Sequence, residues 1–130
     1  MNKFIFMLPL IALSYHTIKI PTDPIHRENY KAQVELIESL GVDAVIPMKP
    51  QWDYYSKTSL KTLPSLSELK PSDVEGIKFL AIMEGYSMLD ETNERVNKMV
   101  VDKMKSLGFK LRLEIVRPNE HNRTYLFSNV

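Results

Sequence analysis

Residues 77–96 read IKFLAIMEGYSMLDETNERV, and the fold turns on how this stretch divides. Ile77 to Met83 is strongly apolar, the pattern of a strand buried on both faces in a parallel sheet. Glu84-Gly85-Tyr86-Ser87 breaks the run as a turn. Beyond it Val96, Met99, Val100, Met104 and Leu107 recur at helical spacing, with Lys98, Lys103 and Lys105 outside the stripe. The spacing predicts a helix from about Asp90 or Thr92 to Leu107, ended by Gly108.

The same alternation extends in both directions. Phe4 to Leu8 is a second continuous apolar run and is expected to be the central first strand. A long loop with Pro9, Pro21 and Pro24 follows, and Asp23-Pro24 supplies a helix cap and a proline at the first helical position. Tyr30, Val34, Ile37 and Leu40 form that helix's apolar stripe, and Gly41 stands at its carboxyl end. Val42 to Ile46 reads as a strand closed by Pro47. From Pro47 to Pro71 the composition shifts to Pro, Ser, Lys and aromatics, with a short helix over Tyr54 to Leu63. Leu111, Leu113 and Ile115 alternate with Arg112 and Glu114, marking a half-buried strand nearer the edge. Pro118 to Asn122 turns the chain, so Thr124 to Phe127 returns as an antiparallel strand. These elements predict a single α/β domain over 1–130, with a Rossmann-like or flavodoxin-like, mainly parallel sheet of four to five strands. Residues 4–8, 43–46, 77–83 and 110–116 supply it, with helices 24–40 and 91–107 on both faces. Ligands of such sheets bind beyond the carboxyl ends of the strands, which singles out residues 9–24, 47–55 and 84–94.

Composition narrows the chemistry. A formal net charge of +1 gives no bulk attraction for DNA, RNA or an anionic membrane. The absence of cysteine excludes disulfides, thiolate nucleophiles and thiolate metal sites. Asn2-Lys3 ahead of the apolar run 4–13 imitates a secretory signal, but Pro9 interrupts the run and Ser14-Tyr15-His16 offers no small-x-small cleavage pattern. The run is also too short to cross a membrane. A cytoplasmic location is expected, and a homo-oligomer stays open. The four glycines form neither a GxGxxG nor a P-loop, and His16, His26 and His121 lack metal-ligand spacing, so neither metal nor cofactor is expected.

The richest constellation is Glu84, Tyr86, Ser87, Asp90, Glu91 and Glu94. Two carboxylates in a partly dry pocket can be driven to different pKa values, one an ionised nucleophile and the other a proton donor, as glycosidic-bond chemistry requires. The same acids also suit a helix start that complements its dipole. A second cluster, Gln51-Trp52-Asp53-Tyr54-Tyr55, offers rings to stack on a flat heterocycle and a carboxylate to hold its nitrogen, or else a lid packed on the core. Tyr15 and His16 lie in the first loop as further contacts. Trp52 and Tyr86 are expected to line one cavity.

On these residues the chain resembles the nucleoside 2-deoxyribosyltransferase-like family. FIFMLPL is similar to that family's opening strand and proline turn, and NYKAQVELIESLGVDAVIP to its first helix and second strand. WDYYSKTSLKTL is similar to its aromatic helix, and IKFLAIMEGYSMLDETNERV to the strand, turn and glutamate-bearing helix of its active site. Met88-Leu89-Asp90-Glu91 replace the family's small residues, the spacing to the glutamate is about one residue short, and 64–76 is an added stretch. The resemblance implies cleavage or transfer at the N-glycosidic bond of a deoxynucleoside or nucleotide. Glu94 would attack C1′, with Glu91 as a neighbouring candidate and Asp90 as supporting acid. Tyr15, His16, Trp52, Asp53, Glu84, Tyr86 and Ser87 would bind substrate. The alternative is a non-catalytic α/β module that holds a nucleotide or a partner protein; a concave pocket around two of the acids favours the enzyme, and solvated side chains favour the module.

Overall fold

The computed structural model describes residues 16–19 and 30–130. Among them the chain forms β1 (His16–Lys19), α1 (Tyr30–Ser39), β2 (Ala44–Ile46), α2 (Lys49–Tyr55), β3 (Lys61–Thr62), β4 (Phe79–Gly85), α3 (Asp90–Ser106), β5 (Lys110–Arg117) and β6 (Asn122–Ser128). Short 3-10 turns occupy Pro71–Val74 and Pro118–Glu120. The expected strand over 4–8 and the Asp23-Pro24 helix start lie outside the described residues.

The strands make one six-stranded sheet in the order β1-β5-β6-β4-β2-β3. β1 pairs with β5, and β3 and β4 with β2, all in parallel; β6 runs antiparallel to both β4 and β5. The sheet is therefore mixed, and the expected mainly parallel sheet of four to five strands is corrected to α/β with six strands. Residues 110–117 are interior rather than near the edge, because His16–Lys19, assigned from its composition to a loop, pairs outside them. The returning strand is longer than Thr124 to Phe127 and lies at the centre.

Period-two alternation sorts the strand residues onto two faces. Val45, Ala81, Met83, Leu113, Ile115 and Leu126 point to one side and pack with Val34, Leu36, Ile37 and Leu40 of the α1 region and Trp52 of α2. Ala44, Ile46, Leu80, Ile82, Tyr125 and Phe127 point to the other and meet Val100 and Met104 of α3. Helices thus cover both faces, as the strand and helix pattern predicts.

The helix expected over 54–63 forms earlier. Pro50 sits in the first turn of α2, where its missing N–H costs nothing. Glu38 then ends the helix by accepting the backbone N–H groups of Lys57 and Thr58, at 3.0 and 2.8 Å, and the Ser56 hydroxyl at 3.2 Å. At the far end of α3, Gly108 takes φ 88° and the Phe109 N–H reaches the Met104 carbonyl at 2.9 Å, a left-handed helix stop that favours glycine. Asp43 fixes the start of β4 by accepting the N–H groups of Lys78 and Phe79 at 2.9 and 3.0 Å. Among the described residues no helix is long and apolar enough to cross a membrane.

Candidate functional site

The carboxyl ends of β4 and β5 and the amino end of β6 meet at one end of the sheet, where Gly85 and Arg117 both stand opposite Asn122. One step inward Glu84 of β4 faces Arg123 of β6 across the ladder. Both point to the α3 side, by the alternation that places Ile82 and Tyr125 there. Glu114 of β5 is diagonal to Arg123 and forms its ion pair, Oε2 to Nη1 at 3.3 Å. The guanidinium also lies 5.6 Å from the centre of the Tyr86 ring and 5.1 Å from that of Tyr125. It is 2% exposed.

The loop from β4 to α3 is held by one side chain. Asn93 accepts the Ser87 N–H through Oδ1 at 2.8 Å and donates Nδ2 to the Ser87 carbonyl at 2.9 Å, so its amide pairs with that residue's backbone as a neighbouring strand would. Ser87 Oγ in turn accepts the Leu89 N–H at 3.0 Å. From the other side the His121 carbonyl accepts the Tyr86 N–H at 2.9 Å. His121 reaches that position at φ 55°, the left-handed region, after the 3-10 turn. On the opposite face of the sheet Gln33, fully buried in α1, donates Nε2 to the Arg123 carbonyl at 2.9 Å and to Thr124 Oγ1 at 3.2 Å. Backbone and side chain of Arg123 are thereby fixed from both layers.

A cleft of about 370 Å3 opens over this frame, walled by Tyr30, Glu84, Tyr86 and Ser87, with Asn93, His121 and Arg123 also lining it. Its volume lies in the range of roughly 300–1,000 Å3 that small-molecule sites occupy. Glu84 is half-buried, and loss of water raises its carboxyl pKa above the ordinary 4.5; the Gly85 N–H and the Arg123 charge offset that only in part. A basic carboxylate, a buried cation and two phenol rings in one concavity can bind a flat polar molecule and exchange a proton with it. Among the described residues no group of three or more His, Asp or Glu is placed to hold a metal ion.

Of the residues singled out from sequence, the cleft brings together Glu84, Tyr86 and Ser87. Asp90, Glu91 and Glu94 are exposed on the outer side of α3, and none lines it. Trp52 is 3% exposed within the α1 and α2 core, so the expectation that it shares a cavity with Tyr86 is corrected: its ring is spent on packing. Asp53 is exposed on α2, and His16 opens β1 opposite Leu113. Tyr15 lies outside the described residues. Sequence reasoning did not single out Gln33, Asn93, Glu114 or Arg123. A signal existed for Asn93: it is the polar residue at the inner position of a helix whose neighbouring turns bury Val100 and Met104. Arg123 gave none, because it falls between the turn read over Pro118 to Asn122 and the strand read from Thr124, with nothing local to show that it is buried. Comparison of the chain with protein-family models, with curated proteins and with solved structures found no significant match.

Proposed function

We propose that this protein binds a nucleoside-like small molecule in the cleft at the carboxyl end of β4. The observation that carries the reading is the Glu84–Arg123 pair, neighbours across the β4–β6 ladder, in a cleft that Tyr30 and Tyr86 also line at the mouth of an α/β sheet. Aromatic walls suit a flat heterocycle, and the adjoining acid and cation suit its polar edge. Exposure of Asp90, Glu91 and Glu94 supports binding ahead of two-carboxylate catalysis by that trio. The test is calorimetric titration with inosine, guanosine and thymidine. Saturable binding that Glu84→Ala weakens by about tenfold or more is expected, a loss on the scale of a polar anchor. Absence of binding by all three and by adenosine would refute the proposal.

A second reading is favoured by the raised carboxyl of Glu84, which makes its ionised form a stronger base. In that reading Glu84 takes a proton from water as the water oxygen bonds to C1′ of the sugar. The C1′–N bond breaks with its electron pair on the base, which recovers a proton, so nucleoside and water give free sugar and free base. Chromatography of wild type incubated with the same nucleosides decides it. Release of base abolished in Glu84→Gln supports hydrolysis, and saturable binding without release leaves a binding protein.

A further inference from the structure

Arg123 is a buried cation whose donors are incompletely satisfied. Its charge is out of water, and a buried guanidinium is tolerated only when its donors meet good acceptors. Its contacts are all long. Nη1 lies 3.3 Å from Glu114 and 3.4 Å from the Asn93 carbonyl, Nη2 lies 3.5 Å from the Gly85 carbonyl, and Nε has no partner. Charge-assisted bonds of this type normally close to about 2.7–2.9 Å. The Tyr86 and Tyr125 rings stabilise the charge but do not replace acceptors in the guanidinium plane. Arg123 is balanced in charge and short of acceptors.

A ligand that makes up this deficit must bring an acceptor without bringing a second negative charge. Glu84 already stands opposite Arg123, and Asp90 and Glu91 occupy the first turn of α3. The loop donors that line the cleft at Tyr86 and Ser87 are already engaged, Tyr86 N–H by the His121 carbonyl and Ser87 N–H by Asn93 Oδ1. A neutral ring carbonyl meets both requirements. Resting on the nucleoside reading above, we infer that Arg123 donates to a carbonyl oxygen of the ligand's base, so that the cleft takes uncharged nucleosides of oxo-bases and rejects adenosine. Hypoxanthine and adenine have one shape and differ along one edge, where O6 accepts and the N6 amino group donates. An amino group there would set donor against donor and leave a buried N–H without an acceptor, the arrangement in which a polar site discriminates most strongly.

The experiment compares inosine, adenosine and inosine 5′-monophosphate on the wild-type protein by calorimetry at one pH and salt. No variant of Arg123 is needed, so the outcome does not depend on one folding. Inosine is expected to bind at least about tenfold more tightly than adenosine and at least as tightly as its monophosphate. Equal affinities for inosine and adenosine would overturn the carbonyl assignment and leave the nucleoside reading standing. A monophosphate that bound about tenfold more tightly than inosine would overturn the preference for an uncharged ligand. Failure of inosine, adenosine, guanosine and thymidine alike to bind would overturn both.

Discussion

Replacing Trp52 by alanine separates its two roles, ring for a ligand or ring for the core. The indole is 3% exposed and packs in the cluster formed by Val34, Leu36, Ile37, Leu40 and Val45. A tryptophan buries on the order of 200 Å2, and at about 25 cal/mol per Å2 its transfer from water is worth about 5 kcal/mol as an upper figure. Large-to-alanine changes at buried aromatic positions cost about 3–5 kcal/mol, the spread depending on how far the cavity collapses. Against a total of roughly 5–15 kcal/mol for a domain, Trp52→Ala should sit near the edge of folding. Urea unfolding followed by far-ultraviolet circular dichroism measures the loss, since the variant has no tryptophan to report. Trp52→Phe should recover much of it, and wild-type tryptophan emission should not respond to nucleoside. A loss below about 1 kcal/mol, together with weakened nucleoside binding, would refute burial of the ring and return Trp52 to the ligand.

Four further outcomes follow from individual contacts. The folded protein holds the Glu84 proton more tightly than the unfolded chain, so this residue's contribution to stability is greatest below pH 4.5 and is lost as pH rises through the raised value; Glu84→Gln should remove that component from a wild-type-minus-variant curve and be the more stable at neutral pH. Gln33→Leu deletes both bonds to β6 and leaves the Thr124 hydroxyl short of a buried donor, costing about 1–3 kcal/mol in chemical denaturation. Asn93→Ala removes both bonds to Ser87, and amide hydrogen exchange at Ser87 should accelerate while that of the β6 amides holds. Glu94→Gln, on the exposed side of α3, should change stability by no more than about 0.5 kcal/mol and leave nucleoside affinity unaltered; loss of binding there would restore the assignment drawn from the family resemblance.

Elements whose buried faces are apolar could be read from the sequence, and those buried through polar pairing could not. Phe79 to Met83 and the Val96, Val100 and Met104 stripe carry their own hydrophobic period, and each appears close to its expected place. β6 divides: Thr124 to Phe127 reads as a returning strand, whereas Asn122 and Arg123 at its start are buried because Gln33, Glu114 and the exit loop of β4 supply partners from distant parts of the chain. Composition alone assigns such a segment to a turn. His16–Lys19 carries two polar residues and a lysine, and only its parallel register with Leu113–Val116 makes it a strand. The site divides in the same way. Glu84, Tyr86 and Ser87 follow from the rule that loops at strand ends bind ligands, whereas which acids on α3 face inward depends on helix rotation. That rotation sets Asn93 toward the Ser87 loop and leaves Glu91 and Glu94 exposed.

The most direct test of the account is to map where a nucleoside touches the protein, by titrating inosine into the isotopically labelled chain and following its backbone amide resonances. Shifts should concentrate at Tyr30, at Glu84 to Ser87, at Asn93 and at His121 and Arg123, the walls of the cleft. Shifts concentrated at Trp52 to Tyr55 or at Lys98 and Asp102 on the outer side of α3, with the cleft residues unmoved, would contradict it.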